Sequence, residues 1–256
     1  PDHVAIQRDR VARGAGRDAD GDFAAGLRKM AEIGHALLNL QRGEMTMPRL
    51  ASAPRHDYLG TTSPEVRMQY TDPATLSFLR NRRSHPPKML SGPPPTRDEL
   101  MALLELAARV PDHGKLEPWR FLVLERAALD RLAPVLADHV AARGGDEAAV
   151  EKARSAFDSP VIVVVISAPV ASPKIPQWEQ FLSAGAVCLE LVNAALAAGY
   201  GAAWLTGPAA QPGFAQAQLG VQDGEQVVGL IHIGQRGATP PDRPRPDIAS
   251  KTSFLE

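Results

Sequence analysis

Cysteine is nearly absent: the 256-residue chain has one, Cys188, so no disulfide can form within it. A chain without a disulfide framework is typical of reducing compartments, and we therefore expect a cytoplasmic location. Cys188 lies in an apolar segment with no neighbouring cation in the sequence. We expect a buried, inert thiol there and not a nucleophile.

An excess of charge is also lacking, because 28 lysines and arginines stand against 29 acids, for a net charge of -1. A nucleic-acid binder needs a basic surface, so we expect no nucleic-acid partner. The first residues lack the apolar core of a secretory signal. One stretch, 184–205, is apolar enough to suggest a membrane span, but it carries Glu190 and Asn193. Since a central acid costs about 2.5–3.5 kcal/mol on insertion scales, we expect a buried helix and strand and no membrane association.

Several catalytic motifs are missing. The glycines at 199, 201 and 207 do not fit a G-x-G-x-x-G fingerprint, and there is no P-loop. No G-x-S-x-G serine elbow occurs. The seven histidines are scattered, without H-E-x-x-H or C-x-x-C spacing, so we expect no metal site.

The pattern of the chain divides it into an extension, 1–70, and a main domain, 71–256. Asp22 is a plausible N-cap for a helix over 22–41, in which apolar residues recur at three- and four-residue steps. The rest of the extension reads as irregular. It is a disordered segment, a docking helix, or sequence upstream of a natural start at Met45, Met47 or Met68.

The main domain alternates helices with apolar strands. Asp72 and Pro73 mark a helix start, and Thr96 with Glu99 forms a capping box before another helix. The unbroken apolar run in 160–167 predicts a strand buried on both faces. A long apolar helix over 178–199 follows, and the remaining predicted strands are 121–124, 200–205 and 227–233. Interleaving of this kind predicts a sheet covered by helices on both faces.

Arginines gather near the breaks between these elements: Arg82, Arg83, Arg109, Arg120, Arg243 and Arg245. Guanidinium groups match phosphate oxygens in bidentate fashion. Each arginine alone reads as a solvated surface residue, and the set is a weak signal for an anionic ligand. The loop after Arg109 also carries His113 between turn-forming residues. From the residues alone it is a polar helix-to-strand connection, although loops between rigid elements are where sites usually lie.

Six segments in order resemble the nitroreductase family, and more narrowly its short NAD(P)H nitroreductases with a P-D-H loop. They are Asn81-Arg82-Arg83-Ser84, Pro111-Asp112-His113-Gly114, Pro118-Trp119-Arg120-Phe121, Trp178-Glu179-Gln180, Gly199-Tyr200-Gly201-Ala202-Ala203-Trp204 and Gly229-Leu230-Ile231-His232-Ile233-Gly234. The resemblance covers about residues 71–247. It implies an α+β, three-layer sandwich: a mixed sheet flanked by helices, assembled as an intertwined homodimer with FMN at the subunit interface.

The resemblance also implies which residues hold FMN. Arg82 and Ser84, with Arg83 between them, match the segment that holds the phosphate and ribityl chain. Arg109 and His113 match residues that reach the flavin from the partner subunit. The other implied contacts are Trp204, Leu205 and Thr206 at the flavin ring, and Arg243 and Arg245 at the phosphate. Many relatives have a lysine near the flavin where this chain has Pro86; Lys88 and Arg109 are the candidates to replace it.

The function that the resemblance implies is ping-pong transfer of electrons from NAD(P)H to a small electron-poor acceptor, such as a nitroaromatic or quinone. Flavin N5 carries the hydride, so no residue is assigned a catalytic role, and His113 is a candidate proton donor. The alternatives are a non-catalytic flavin-binding, storage or sensor module, and another reductase, for enones or halides, on the same fold. We expect deletion of residues 1–68 to leave flavin binding intact.

Overall fold

A computed structural model describes residues 72–255. The extension over 1–70 and its helix at 22–41 therefore lie outside the described residues. Residues 72–246 belong to one compact unit, which holds all the elements discussed below. Residues 247–255 lie outside that unit and contain one short helical turn, Ala249–Lys251.

Within residues 72–246 the chain forms six α-helices and five strands. The helices are α1 (Pro73–Asn81), α2 (Arg97–Ala107), α3 (Arg126–Ala142), α4 (Glu147–Arg154), α5 (Gln177–Ala197) and α6 (Pro212–Leu219). The strands are β1 (Leu90–Ser91), β2 (Trp119–Leu124), β3 (Val161–Ser167), β4 (Tyr200–Leu205) and β5 (Gln226–Arg236).

The helix starts follow from local side-chain chemistry, as the sequence predicted. The Asp72 carboxylate accepts the backbone N–H of Ala74 at 3.0 Å, directly before Pro73. At α2, Thr96 and Glu99 form the reciprocal capping box. Each cap satisfies N–H groups that a helix start would otherwise leave without a partner.

Strand β5 organises the sheet, since it pairs with β3, β4 and β1, while β2 adds to the far edge of β3. Every one of these pairs is antiparallel; the mixed sheet expected from the resemblance is not seen within residues 72–255. Pairing also lengthens two predicted strands. β2 begins two residues early because Trp119 pairs with Ser167, and β5 runs on because Arg236 pairs with Leu90.

The sheet lies between two helical layers, so the predicted three-layer sandwich is confirmed. Side chains of α2 and α5 fill one face, and those of α3, α4 and α6 fill the other. β3 is buried along its whole length, as its apolar run predicted. Helix α5 is long and apolar enough to cross a membrane, but 56% of its most apolar window is buried inside the protein. It is the core helix that the sequence predicted.

Candidate functional site

Four of the predicted site residues meet at one place, which we call the arginine cluster: Arg82, Arg83, Ser84 and Arg245. Asp242 joins two of them, because its carboxylate lies 2.8 Å from Arg83 Nη2 and 2.8 Å from Arg245 Nη2. Arg82 Nη2 lies 3.4 Å from Ser84 Oγ. The first loop and the C-terminal part of the domain are thereby joined through one acid.

The arginine cluster has unused hydrogen-bonding capacity. The Nε atoms of Arg82 and Arg83 are buried and have no partner among residues 72–255. Burial lowers the pKa of Arg82, and the positive charges of Arg245 and Arg83 lower it further. A buried donor without a partner is costly, and an anion placed here would relieve both the unmet bonds and the like-charge repulsion. Arg243 is exposed, and only its backbone N–H contacts Asp242.

A cavity of about 440 Å³ opens beside the end of β4. Its walls come from β4, β5, the loop after β4, and the α3–α4 layer; they include Leu205, Thr206, Gly207, Leu230, His232, Leu136, Ala153, Phe157 and Lys152. The cavity follows the arginine cluster directly along the chain, because Pro87, three positions after Ser84, lines it. Between these two residues, the His85 N–H donates to the Ala202 carbonyl of β4 at 2.8 Å. A largely apolar cavity of this size with a few polar groups suits a small-molecule ligand.

Trp204 lies on the other face of the sheet from the cavity. Its Nε1–H donates to the Val228 carbonyl at 3.2 Å, and its ring packs on Gly229, where any Cβ would collide with it. The side chain remains partly exposed, at 40%. Of the three ring contacts implied by the resemblance, Leu205 and Thr206 line the cavity, and Trp204 packs on β5 on the opposite face of the sheet.

Three residues of this region were missed by the sequence analysis: Lys152, Ser159 and His232. His232 Nδ1 lies 2.7 Å from Ser159 Oγ, and burial lowers the pKa of His232 to about 4. The available signal was a histidine in an otherwise apolar strand, Leu230-Ile231-His232-Ile233. Lys152 gave no signal, since it is one of several charged residues on α4.

The loop between α2 and β2 holds Arg109 and His113 in a fixed frame. His113 Nδ1 lies 2.8 Å from Glu179 Oε2, at the start of α5. The Asp112 carboxylate accepts backbone N–H groups within the loop, including that of Glu117 at 2.8 Å. Ser183 Oγ, also from α5, donates to the Pro111 carbonyl at 2.8 Å.

Gly114 completes this loop with a φ of 75°, and a Cβ there would collide with Ile175. Glu179 lies in the first turn of α5 and contacts His113, and the N-cap residue of that helix, Pro176, makes no side-chain cap. Arg120 is held by Glu225 and by the Gly220 carbonyl, so its role is structural.

The loop stands apart from the other two parts of the site. Among residues 72–255, no hydrogen bond or ion pair joins Arg109 or His113 to the arginine cluster or to the cavity. The resemblance had placed this loop against the flavin of a partner subunit. In the same part of the chain, no group of three or more His, Cys, Asp or Glu residues could hold a metal ion.

Comparison with known proteins places this geometry in a family. The sequence profile of the Nitroreductase family matches residues 79–235. The chain belongs to the nitroreductase family. Membership makes it an oxidoreductase, and the resemblance read from the six sequence segments is confirmed. The protein named "Putative NAD(P)H nitroreductase YdjA", of Escherichia coli strain K12, is 34% identical over 160 residues, covering 62% of this chain and 86% of that protein.

Solved nitroreductase structures have the same fold. A nitroreductase-like protein from Bacillus cereus aligns with a TM-score of 0.58 at 24% identity, covering 75% of this chain and 100% of the other. A nitroreductase from Bacteroides fragilis, solved with bound FMN, aligns with a TM-score of 0.56 at 20% identity, covering 73% of this chain and 100% of the other.

Proposed function

We propose that the protein is an FMN-dependent oxidoreductase that passes electrons from NAD(P)H to a small electron-poor acceptor, such as a nitroaromatic or quinone, by a ping-pong mechanism. The supporting observation is the apolar cavity at the end of β4, which adjoins an arginine cluster with unmet buried donors. The cavity suits a planar ring and the arginine cluster suits a phosphate, so the two together suit a ligand that carries both groups. We place the enzyme in the cytoplasm.

The arginine cluster is the phosphate site of this proposal. Arg82 carries an unpaired buried Nε, and Ser84 Oγ lies beside its guanidinium, so both can donate to one phosphate oxygen. Arg83 and Arg245 are held by Asp242, and they add positive charge around the same point. Because Asp242 already pairs with those two, Arg82 is the arginine left to bind the phosphate directly.

The cavity is the ring site. Leu205 and Thr206 present the end of β4 to it, and Trp204 holds that end against β5 on the opposite face of the sheet. Lys152 lines the cavity and supplies the positive charge that Pro86 cannot. This replaces the two earlier candidates, since within one subunit neither Lys88 nor Arg109 lines the cavity.

When bound, FMN supplies the redox chemistry, and the protein supplies position and charge. A positive charge from Lys152 beside the flavin ring would stabilise the negative charge that the ring gains when it is reduced. His113 is oriented by Glu179, so its Nε2 is left to face a ligand held by another subunit. At that ligand, His113 orients the flavin ring, and donation of a proton is its second role.

A homodimer completes the site. Large apolar side chains are exposed on the α2–α5 side of the molecule: Met101, Leu106, Trp178, Phe181, Leu182 and Leu189. Isolated exposed apolar residues are ordinary, but a group on one helical layer is typical of an interface. A second copy of this chain would cover that layer, and the contact of the partner's Arg109 and His113 with the flavin is carried over from the resemblance.

The test is the spectrum of the purified protein. FMN added to the protein should be retained through gel filtration, giving a yellow protein with a flavin spectrum, and NADPH should bleach it within seconds. A colourless protein that ignores added FMN contradicts the proposal. Retained FMN that NADPH bleaches slowly or not at all would favour the non-catalytic flavin module.

A further inference from the structure

Ser159 and His232 form a buried pair that the proposed function does not use, and His232 of this pair lines the cavity. Their exposed fractions are 0% and 2%, and Ser159 Oγ lies 2.7 Å from His232 Nδ1. Among residues 72–255 this is the one hydrogen bond of the Ser159 hydroxyl; the carbonyl of the same residue accepts from Arg126. A buried hydroxyl needs an acceptor for its proton, and Nδ1 is the acceptor present.

That assignment fixes the tautomer of His232. If Nδ1 accepts, the ring proton resides on Nε2. Burial lowers the pKa of His232 to about 4, so at neutral pH the ring is uncharged and has a single N–H. The ring therefore has one donor, and it points away from Ser159.

His232 lines the cavity, and its Nε2 makes no hydrogen bond to any other residue in the part of the chain that the structure describes. The nearby polar groups of the cavity are Lys152, Ser155 and Thr206, which are exposed residues at its rim. His232 is the buried polar side chain of the lining.

We propose that His232 is a specificity-determining donor of this cavity: its Nε2–H, held in one tautomer by Ser159, donates a hydrogen bond to an acceptor atom at the edge of the bound ring. The ligand class is a planar heteroaromatic ring with a carbonyl oxygen or an unprotonated ring nitrogen at that edge. The assignment of this ring to FMN rests on the proposed function. A buried donor rejects a ligand that lacks the matching acceptor, because the donor is then left unpaired.

The tautomer is tested on the wild-type protein by nitrogen-15 NMR of labelled histidines, with His232→Gln used to assign the His232 signals. We expect a protonated Nε2 and an unprotonated Nδ1. Adding FMN should shift the Nε2–H signal and protect it from exchange with water. A proton on Nδ1, or an Nε2–H signal unchanged at saturating FMN, overturns the proposal.

Binding is tested with a matched pair of variants, after circular dichroism has verified their folding. His232→Phe removes the donor, and FMN should bind about fivefold more weakly, the effect of one hydrogen bond. His232→Gln keeps an N–H donor of similar reach and should stay within about twofold of the wild type. Equal FMN affinity in the wild type and in His232→Phe overturns the role of His232 and leaves the proposed function standing. A wild-type protein that binds no FMN overturns both. If His232→Phe does not fold, the NMR measurement decides.

Discussion

His113 Nδ1 lies 2.8 Å from Glu179 Oε2, which ties the loop after α2 to the first turn of α5. The two side chains are 66% and 31% exposed, so the pair contributes less than about 1 kcal/mol to stability. Its effect is on geometry, because a histidine held through Nδ1 presents Nε2 in a defined direction. The loop is therefore arranged before any ligand arrives.

The first prediction concerns this loop. Arg109→Ala and His113→Ala should each weaken FMN retention about fivefold, the effect of one lost hydrogen bond, without unfolding the domain. Glu179→Gln should weaken it less, because it only releases His113. Equilibrium dialysis and thermal melts measure the two effects.

Asp138→Ala, an exposed residue of α3 in the layer opposite the proposed interface, is the control for these variants. Combining Glu179→Gln with His113→Ala should add nothing to His113→Ala, since the two residues act as one unit. Unchanged FMN affinity in both Arg109→Ala and His113→Ala would return the loop to a purely structural role.

The second prediction concerns the phosphate. Arg82→Ala should lower FMN affinity about 10- to 100-fold, as expected for a lost charge-assisted hydrogen bond. Riboflavin, which lacks the phosphate, should bind the variant and the wild type equally. Fluorescence titration with both ligands separates the two effects, and Arg131→Ala, an exposed arginine of α3, is the control. Equal losses for FMN and riboflavin would show that Arg82 does not bind the phosphate.

The third prediction concerns Lys152. Removing its positive charge with Lys152→Met should make the reduction potential of bound FMN more negative by about 20 mV, or about 1 kcal/mol for a two-electron couple. A spectroscopic titration against a reference dye measures this. Lys174→Met, an exposed residue outside the cavity, should leave the potential unchanged. A potential unaffected by Lys152→Met would place the ring away from α4.

The fourth prediction concerns the dimer. Leu182 is 62% exposed on α5, and Leu182→Glu would place a charge in the centre of an apolar interface, where an unpaired charge is costly. We expect a monomer by light scattering and loss of bound FMN. Ala141→Glu, exposed on α3 in the opposite layer, should remain a dimer. A dimer that persists with Leu182→Glu would move the interface elsewhere.

The fifth prediction concerns pH. The pKa of His232 is about 4 in the folded protein, against an ordinary value of 6.5, so between these values the unfolded chain binds the proton and the fold does not. The contribution of His232 to the free energy of unfolding is therefore constant above pH 6.5, and it decreases as pH falls towards 4. Each pH unit is worth about 1.4 kcal/mol, so the loss reaches about 3 kcal/mol.

Urea unfolding of the wild type and of His232→Gln between pH 7 and pH 4.5 measures this dependence. The pKa of His85 is also lowered by burial, and its effect on stability is present in both proteins. The difference between the two proteins therefore isolates the effect of His232. The free energy of unfolding should fall more steeply with acid in the wild type. Parallel curves would mean that His232 takes up its proton over the same pH range in the folded protein as in the unfolded chain.

The sequence by itself determined the elements of this protein and its family. The cap at Asp72, the capping box at Thr96 and Glu99, and the buried run of β3 depend on residues within a few positions of one another. Such patterns can be read along the chain, because both partners lie in the same window. The ordered segments that identify the family can be read in the same way.

Only the tertiary structure decided how the site is assembled. Asp242 lies between Arg83 and Arg245, Glu179 contacts His113, and Ser159 meets His232, pairs far apart along the chain. Lys152 comes to the cavity because α4, which packs against α3, lines the same space as the end of β4. Strand register and helix packing set these distances, and no local pattern encodes them. The sequence therefore named most of the residues of the proposed site, and the packing of the sheet against its two helical layers decided which of them meet.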